Sequence, residues 1–311
     1  MPGTMKDKLL PLDRAISENL SPGSAVVLGA CLEPDIPFAA TYEIIRQGIG
    51  GLNVIAPISD ASTDMLIGAG CVAEVTGAWV GNVSGGLGHN YRRALEDGEP
   101  GPVTVHDHSN FSLAMALMAG AYGMPYVPMR SILGSDITRS NPAFRRAENP
   151  FSEAREPVVL VPPLQPDLAV LPVQRADRHG SAHHWGSAGL IQESALAAEK
   201  VILLADEIVD GSVIASDPSR VLIPGYLVAA VCHLPGGAHP SPMTGRWRRD
   251  NEFFEDYHRQ SRTREGFLAW LKEWVLEVPD HAAYRAKLGR RLDDLRIAGR
   301  APAAPADYAA A

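Results

Sequence analysis

The sequence predicts an α/β fold with a mainly parallel β-sheet that helices cover on both faces. Short apolar runs, each of strand length, alternate along the chain with longer segments of helical periodicity. Strands buried on both faces of a parallel sheet have this character. With 311 residues, the chain can bury a large core without a disulfide or a metal to stabilise it.

The predicted elements follow one another in a regular order. The first strand, residues 25–29, precedes a helix over residues 38–47, with Pro37 at its first turn. Further strands are predicted at residues 52–56, 103–105, 158–161, 168–171 and 201–204. A helix near residues 111–122 follows the third strand, and a short helix over residues 195–200 leads into the last one.

The C-terminal part of the chain has a different character. Between residues 251 and 288, aromatic and leucine side chains recur at helical spacing, which favours a helical packing layer over an aromatic ligand cage. We expect a single domain over residues 1–300, with this helical layer at about residues 251–300. The Ala/Pro-rich tail, residues 301–311, is predicted to be disordered.

Composition and charge exclude several classes of function. The formal net charge is −8, and only Arg246, Arg248 and Arg249 form a local basic group, so we expect no nucleic-acid partner. No run of 18 apolar residues and no signal-peptide core occur, so we expect a cytoplasmic protein with no membrane contact. The three cysteines are far apart and form no CxxC pair, which predicts reduced, buried thiols.

Five polar or glycine-rich segments follow predicted strands, where open α/β sheets bind their ligands. They are residues 29–37, 81–90, 106–112, 177–186 and 235–240. Residues 81–90 fit neither the GxGxxG nor the GxxxxGK[ST] pattern, so we interpret them as a flexible loop near a pocket mouth. Residues 177–186 allow a polar loop or a pocket lining, and a zinc site there is less favoured.

Residues 106–112 allow two interpretations. Ser109 or Asn110 could cap the following helix. Alternatively, Asn110 donates a hydrogen bond to a substrate carbonyl oxygen, and Asp107 faces the pocket. A metal site is disfavoured because His106 and Asp107, as successive strand residues, point to opposite faces.

Together these segments resemble the α subunit of family I coenzyme A transferases, in particular the glutaconate coenzyme A-transferase-like group. The resemblance covers about residues 8–290. It rests on SNF at 109–111, AGAYGMPYVP at 119–128, RSILGSD at 130–136, DRHGS at 177–181 and PGGAHP at 235–240. Residues 29–37 match more loosely, because Ala30 and Cys31 replace the family's Gly-Phe.

The resemblance implies a three-layer α/β/α fold like that of ribose-5-phosphate isomerase. It also implies a β subunit of similar fold, in an α2β2 or larger assembly, that carries the nucleophilic glutamate. Coenzyme A would move between an acyl-CoA and a carboxylate through a glutamyl-CoA thioester on that subunit. The CoA thioester would be a substrate, with no permanently bound cofactor and no metal.

The resemblance also suggests site residues in this chain. Asn110 and Asp107 are candidates for the pocket and the oxyanion site. The candidates for binding substrate or CoA are Gly29, Ala30, Cys31, Gly85, Gly86, Ser109, Arg130 and Ser135. The Ser-Glu-Asn triplet at 17–19 resembles the family's nucleophile motif, but it precedes the first strand, and Leu20 follows where the family has glycine.

Two other functions stay open at this point. Some relatives hydrolyse a carbon–carbon bond in a ring of a steroid-derived CoA thioester, using a carboxylate of the α subunit that would align near Asp107. A non-catalytic ligand-sensing domain is a further alternative. It is less favoured because the sequence has neither a helix-turn-helix segment nor a basic face.

Overall fold

Seven parallel strands form the central sheet of the structure, a computed structural model that describes residues 6–58 and 60–297. The described residues also form three small antiparallel sheets, and the strands of all four sheets are, in chain order, β1 (Ala25–Leu28), β2 (Leu52–Ile58), β3 (Val72–Trp79), β4 (Gly81–Asn82), β5 (Gly86–Leu87), β6 (Thr104–Asp107), β7 (Val127–Met129), β8 (Arg145–Glu148), β9 (Pro157–Val161), β10 (Leu168–Val173), β11 (Arg175–Ala176), β12 (Ala182–His183), β13 (Lys200–Ala205) and β14 (Val228–His233). The predicted disorder of residues 301–311 lies outside the described residues.

The helices surround this sheet and follow most of its strands. They are α1 (Leu12–Asn19), α2 (Phe38–Gln47), α3 (Ser62–Gly68), α4 (His89–Glu96), α5 (Asn110–Tyr122), α6 (Ile137–Ser140), α7 (Ile191–Ala197), α8 (Gly211–Ala215), α9 (Asn251–Gln260), α10 (Arg264–Leu271), α11 (His281–Leu288) and α12 (Arg290–Asp294). Among the described residues, no helix is long and apolar enough to cross a membrane.

The order of the strands in the central sheet is β14-β13-β10-β1-β2-β3-β6, and every neighbouring pair is parallel. The chain therefore builds outward from β1 in one direction through β2, β3 and β6. It then returns to the other side of β1 and builds outward through β10, β13 and β14. Because the order reverses between β1 and β10, a crevice is expected beyond the carboxyl ends of these two strands.

Alternate residues of the central strands enter two different cores. Val26 and Leu28 of β1 pack with Ile44 of α2 in one hydrophobic core. Val27, which lies between them, packs with Leu113 of α5 and other residues in a second core. This alternation follows from the two-residue period of a strand, and it places helices on both faces of the sheet, as the sequence predicts.

The C-terminal helices complete the first core with aromatic side chains. Phe253, Trp270 and Tyr284 are buried there with Tyr42 of α2. The rings of Phe253 and Trp270 meet edge to face, with centroids 5.8 Å apart. Such edge contacts stabilise aromatic pairs beyond the area that they bury. The aromatic residues of this segment therefore pack as a core.

Some elements differ from the sequence prediction. The apolar run at 158–161 forms β9, which belongs to a separate antiparallel sheet with β7 and β8, because an apolar run does not encode its pairing partner. The strand β3 is absent from the prediction, since Glu74, Thr76 and Gly77 interrupt its apolar character. The helix expected over residues 195–200 is α7, which ends at Ala197.

Candidate active site

The loop after β1, residues 29–37, lies at the reversal of strand order and is held from two sides. The amide of Leu190 donates a hydrogen bond of 2.7 Å to the carbonyl of Ala30. From the other side, Ser241 donates through its hydroxyl to the carbonyl of Glu33 at 2.6 Å. We call residues 29–37 together with segments 182–190 and 235–244 the switch-point region. Three of the five polar segments noted in the sequence thus meet in one place.

The backbone of this loop adopts conformations that only glycine accepts readily. Gly29 has a φ of 80°, which suits glycine, but Leu32 and Asp35 have φ values of 71° and 57°. Non-glycine residues in this conformation cost free energy, and they persist where the surrounding contacts enforce them. The amide of Asp35, for example, donates to the carbonyl of Pro242 at 2.9 Å.

A buried pair of polar side chains joins the loop to the segment after β12. The Nε2 atom of His184 lies 3.1 Å from Oδ2 of Asp35, and both side chains are almost completely buried. Burial raises the pKa of Asp35, and its hydrogen bond with His184 partly opposes this shift. The pair therefore fixes the loop through a contact that water does not reach.

The loop after β2 is held by a second buried pair. Asp60 is fully buried, and its Oδ2 lies 2.7 Å from a guanidinium nitrogen of Arg249. Its other oxygen accepts the amide of Val83 at 2.8 Å. Burial raises the pKa of Asp60, which the hydrogen bond from Val83 and the charge of Arg249 partly offset. Arg249 also donates to the hydroxyl of Ser84 at 2.9 Å, so it ties this loop to the β4–β5 hairpin.

Beside the switch point, an aromatic ring is surrounded by arginines. The guanidinium carbons of Arg175, Arg220 and Arg246 lie 5.5, 5.5 and 5.8 Å from the ring centroid of Trp185. Two of the arginines form ion pairs, Arg220 with Asp217 and Arg246 with Glu207. The group is thus largely neutralised within the chain.

The structure separates the predicted site residues into different places. Gly29, Ala30 and Cys31 lie in the switch-point region, and Gly85 and Gly86 lie on the β4–β5 hairpin, where the sequence suggested a flexible loop. The other candidates lie at the far end of the sheet or beside the antiparallel sheet: Asp107, Ser109, Asn110, Arg130 and Ser135. We call residues 104–112 and 130–141 the β6-edge region.

The distance between the two regions follows from the sheet. The strand β6 is three positions from β1, which corresponds to about 14 Å across the strands. The side chain of Asn141 donates to the carbonyl of Asp107 at 3.0 Å, which joins the two segments of the β6-edge region. One substrate atom could not contact both Gly29 and Asn110, whereas an extended substrate could.

At the β6 edge, Ser109 is the residue that caps the helix. Its hydroxyl accepts the amide of Ser112 at 3.0 Å, and the hydroxyl of Ser112 accepts the amide of Ser109 at 2.9 Å, a reciprocal capping box. Asn110 is the first helical residue, and it is exposed. The capping role is therefore filled without Asn110.

The two histidines of this segment have separate partners. The Nε2 atom of His106 lies 2.9 Å from Glu74 of β3. The Nδ1 atom of His108 lies 3.1 Å from the hydroxyl of Ser112, and burial lowers the pKa of His108 to about 4. The structure thus gives each histidine its own hydrogen bond and does not pair them around a metal.

Sequence reasoning missed the pairs that fix these loops. Asp35 and His184 are 149 positions apart, and Asp60 and Arg249 are 189 apart. The only signal in the sequence is that Asp35 and His184 lie in segments that follow predicted strands. The sequence presents the group Arg246, Arg248 and Arg249 only as a possible nucleic-acid surface, whereas two of its members form internal ion pairs with Glu207 and Asp60.

The chain is similar to a known protein family and to known enzyme subunits. Residues 10–234 match the family model of coenzyme A transferase. The chain is 37% identical over 281 residues to the A subunit of 3-oxoadipate CoA-transferase from Pseudomonas knackmussii, a match that covers 90% of this chain and 98% of that protein. It is 34% identical over 306 residues to the A subunit of glutaconate CoA-transferase from Acidaminococcus fermentans, covering 93% and 95%.

Structural comparison agrees with these matches. The crystal structure of glutaconate coenzyme A-transferase from Acidaminococcus fermentans aligns with a TM-score of 0.87 at 33% identity, covering 93% of this chain and 96% of that one. A more distant relative is the IpdA chain of a cholesterol ring-cleaving hydrolase from Rhodococcus jostii. It is 26% identical over 281 residues, covering 87% of this chain and 92% of that protein.

Proposed function

Because this chain belongs to the coenzyme A transferase family, we propose that it is the α subunit of a heteromeric CoA-transferase. The observation that carries the proposal is the match, along nearly the whole chain, to the corresponding subunits of two such enzymes. The partner would be a β subunit of similar fold, in an α2β2 or larger assembly. The three cysteines are free and buried, which suits the reducing cytoplasm that we propose as its location.

The proposed chemistry exchanges coenzyme A between two carboxyl groups. A glutamate that the partner subunit carries attacks the acyl-CoA thioester, which releases the CoA thiolate and leaves a mixed anhydride. The thiolate then attacks the glutamyl carbonyl, so that a glutamyl-CoA thioester forms and the first carboxylate leaves. A second carboxylate reverses these steps and leaves as the new acyl-CoA. The covalent intermediate divides one difficult transfer into easier steps.

Within this chain, the only glutamate in a family-like motif is badly placed for such chemistry. Glu18 lies near the end of α1, is exposed, and forms an ion pair with Arg14. Its neighbour Asn19 lines a cavity with Asp167 and Lys200, which lie at the amino ends of β10 and β13. Glu18 therefore lies near the amino ends of the strands, whereas the switch point lies at their carboxyl ends. This position supports a nucleophile that the partner subunit carries.

We propose that this chain supplies the walls and hydrogen-bond donors of a shared site. Two groups are candidates for the oxyanion donor: the loop with Gly29, Ala30 and Cys31, and the side chain of Asn110. A donor fixed toward a developing oxyanion stabilises the transition state by about 3 kcal/mol. An extended acyl-CoA could contact the first group with one part and Asp107, Ser109, Arg130 or Ser135 with another, while Gly85 and Gly86 line the entrance.

The ring-opening hydrolase is the weaker alternative. The hydrolase relative is 26% identical to this chain, compared with 37% and 34% for the two transferase subunits. The position of Asp107 is the feature that would support it. However, an aspartate is shorter than the glutamate that would act at this position in such hydrolases, so its reacting oxygen is shifted by about one methylene. That shift is enough to disturb an in-line attack, and it counts against the hydrolase. A sensing domain has no support from these relatives, which are enzyme subunits.

Trapping of the covalent intermediate tests the proposal. The chain is co-purified with its β subunit, incubated with an acyl-CoA, treated with borohydride and digested for peptide mapping. We expect a reduced glutamate on the partner and loss of transferase activity only in the sample that received acyl-CoA. The proposal is abandoned if no adduct forms while Asp107→Asn abolishes a water-dependent ring opening, or if the chain alone, as a verified homo-oligomer, is fully active.

A further inference from the structure

Three potential metal ligands meet where the loop after β1 contacts the segment after β12. Cys31, Asp35 and His184 offer a sulfur, a carboxylate oxygen and an imidazole nitrogen, and these atoms all lie within 4.8 Å of one another. All three residues are buried. We propose that Cys31, Asp35 and His184 bind a divalent transition-metal ion of the zinc type, a site that goes beyond the proposed transferase activity and does not depend on it.

One oxygen of Asp35 is left without a partner by the protein. Oδ2 is paired with His184 at 3.1 Å, but Oδ1 is buried and has no hydrogen bond within the described residues. A buried carboxylate oxygen without a partner is costly, and most such atoms in folded proteins are satisfied. A metal ion bound through both oxygens of this carboxylate would satisfy it.

The spacing of the donors suits a small tetrahedral ion. Bonds of about 2.0–2.3 Å to nitrogen, oxygen and sulfur place neighbouring ligand atoms roughly 3.3–3.6 Å apart. The measured distance from His184 Nε2 to Asp35 Oδ2, 3.1 Å, is close to that range. The sulfur of Cys31 is within 4.8 Å of both, so a modest side-chain rotation closes the set.

The chemistry of the donors selects the kind of ion. A thiolate and an imidazole favour zinc and related transition metals over magnesium or calcium, which prefer oxygen ligands. The Cys31 thiol donates a hydrogen bond to the carbonyl of Ala188 at 3.5 Å, so it carries its proton in the metal-free state. Binding forms the sulfur–metal bond and releases that proton to solvent.

Charge balance is favourable in so buried a place. The dication, the thiolate and the Asp35 carboxylate sum to zero, and the imidazole binds in its neutral form. No net charge is therefore transferred into the core. Because Cys31 and Asp35 lie in the loop after β1, and His184 follows β12, the ion would cross-link two segments of the switch-point region.

Cobalt(II) is a suitable probe, because a thiolate ligand gives it an intense near-ultraviolet charge-transfer band. The tag-free full-length chain is treated with a chelator, dialysed and titrated with Co²⁺. We expect one equivalent to bind per chain, with the thiolate band, and Zn²⁺ to displace it. Cys31→Ser should abolish the band. Cys71→Ser and Cys232→Ser, which replace the other two buried cysteines, should retain it.

Two further measurements keep the outcome clear if Cys31→Ser does not fold. Asp35→Asn removes a charged ligand and should weaken Co²⁺ binding at least about tenfold. X-ray absorption of the zinc-loaded wild type should show one sulfur neighbour at about 2.3 Å. Absence of the thiolate band in the folded wild-type chain, or its persistence in folded Cys31→Ser, overturns the metal site. Either result leaves the transferase proposal standing, because that proposal is tested by borohydride trapping.

Discussion

The switch-point region and the β6-edge region both lie at the carboxyl ends of strands, yet they are held very differently. In the first, the loop after β1 is fixed by hydrogen bonds from Ser241 and Leu190 and by the buried pair of Asp35 and His184. In the second, Asn110 and Arg130 are exposed. Preorganised donors stabilise a transition state most effectively, because they need no rearrangement during the reaction.

This difference separates what the sequence motifs indicate from what the geometry favours. Two of the five motifs that carry the family resemblance, residues 109–111 and 130–136, lie in the β6-edge region, whereas the strained backbone lies at the switch point. A partner subunit that covers the β6 edge would order its exposed side chains. The loop after β1 is already ordered within this chain. If the two regions have the different roles that this contrast suggests, substitutions in them should differ in their effects on stability and on kcat.

The largest effect is expected from the buried ion pair beside the switch point. Arg249→Met leaves Asp60 buried without its charged partner and should lower the free energy of unfolding by about 3–5 kcal/mol. Arg130→Met, at the β6 edge, breaks an exposed pair with Glu156 and should cost about 0–1 kcal/mol. Urea denaturation of the two variants measures the difference, and equal costs would contradict the contrast in burial.

A large kinetic effect is expected from Asn110. If its amide is the oxyanion donor, Asn110→Ala should lower kcat about 10²-fold. Stability should hardly change, because Ser109 caps the helix. Ser109→Ala is the matched control: it removes the cap and should cost about 1 kcal/mol of stability. An unchanged kcat in folded Asn110→Ala would transfer the oxyanion role to the loop after β1.

The sequence predicts the fold better than the site, for a physical reason. The strands β1, β2, β10 and β13 consist largely of apolar residues, and their hydrophobicity identifies them without knowledge of their neighbours. The α/β class and the family assignment that the motifs predict are confirmed by the match to the coenzyme A transferase family model and by the similarity to the solved glutaconate enzyme. The pairing of strands is harder to predict than their positions, because it depends on residues distant in the chain. The apolar run that forms β9 therefore does not show that this strand belongs to an antiparallel sheet.

The contacts within the candidate site are even harder to predict from the sequence than the pairing of strands. Asp35 and Asp60 are visible in the sequence only as acidic residues in or near loops, since their partners His184 and Arg249 come from segments far along the chain. Cys31 is a candidate because of the family loop, and nothing local indicates its approach to His184. Capping at Ser109 is a local feature, and the sequence anticipates it as one of two choices. The functional roles of Asn110 and Asp107 remain predictions.

A smaller effect on stability is expected from alanine substitutions at two glycines that both have a left-handed backbone conformation. Gly189, with φ 51°, faces the loop after β1, so a Cβ there would lie 2.5 Å from the carbonyl oxygen of Ala30 and 2.6 Å from Cα of Cys31. Gly123, with φ 65°, ends α5 and has open space around it. Both alanine variants carry the cost of left-handed backbone, about 1 kcal/mol.

Only Gly189→Ala should also displace the loop. Overpacking of this kind adds about 1–3 kcal/mol to the loss of stability, and the displaced loop should lower kcat in the assembled enzyme. Thermal melts and kinetics on both variants, purified with the partner subunit, give the two quantities. If Gly189→Ala and Gly123→Ala behave alike, the loop is not held as tightly as its hydrogen bonds indicate.

The smallest expected effect is a loss of stability on acidification that depends on His108 in the β6-edge region. Burial lowers the pKa of His108 to about 4, whereas an unfolded chain has a histidine pKa of about 6.5. Between these values the unfolded state binds a proton that the folded state refuses, so stability falls as pH decreases from about 6.5 toward 4. From pH 7 to pH 5.5, protonation of His108 in the unfolded state should lower the free energy of unfolding by about 1 kcal/mol.

His108→Gln also loses the contact with Ser112, but that loss is the same at both pH values. Urea denaturation at pH 7 and pH 5.5 should therefore show a gap between wild type and variant that narrows by about 1 kcal/mol at the lower pH. A constant gap would mean that His108 is protonated in the folded protein, and that the β6 edge is more open to water than its capping box implies.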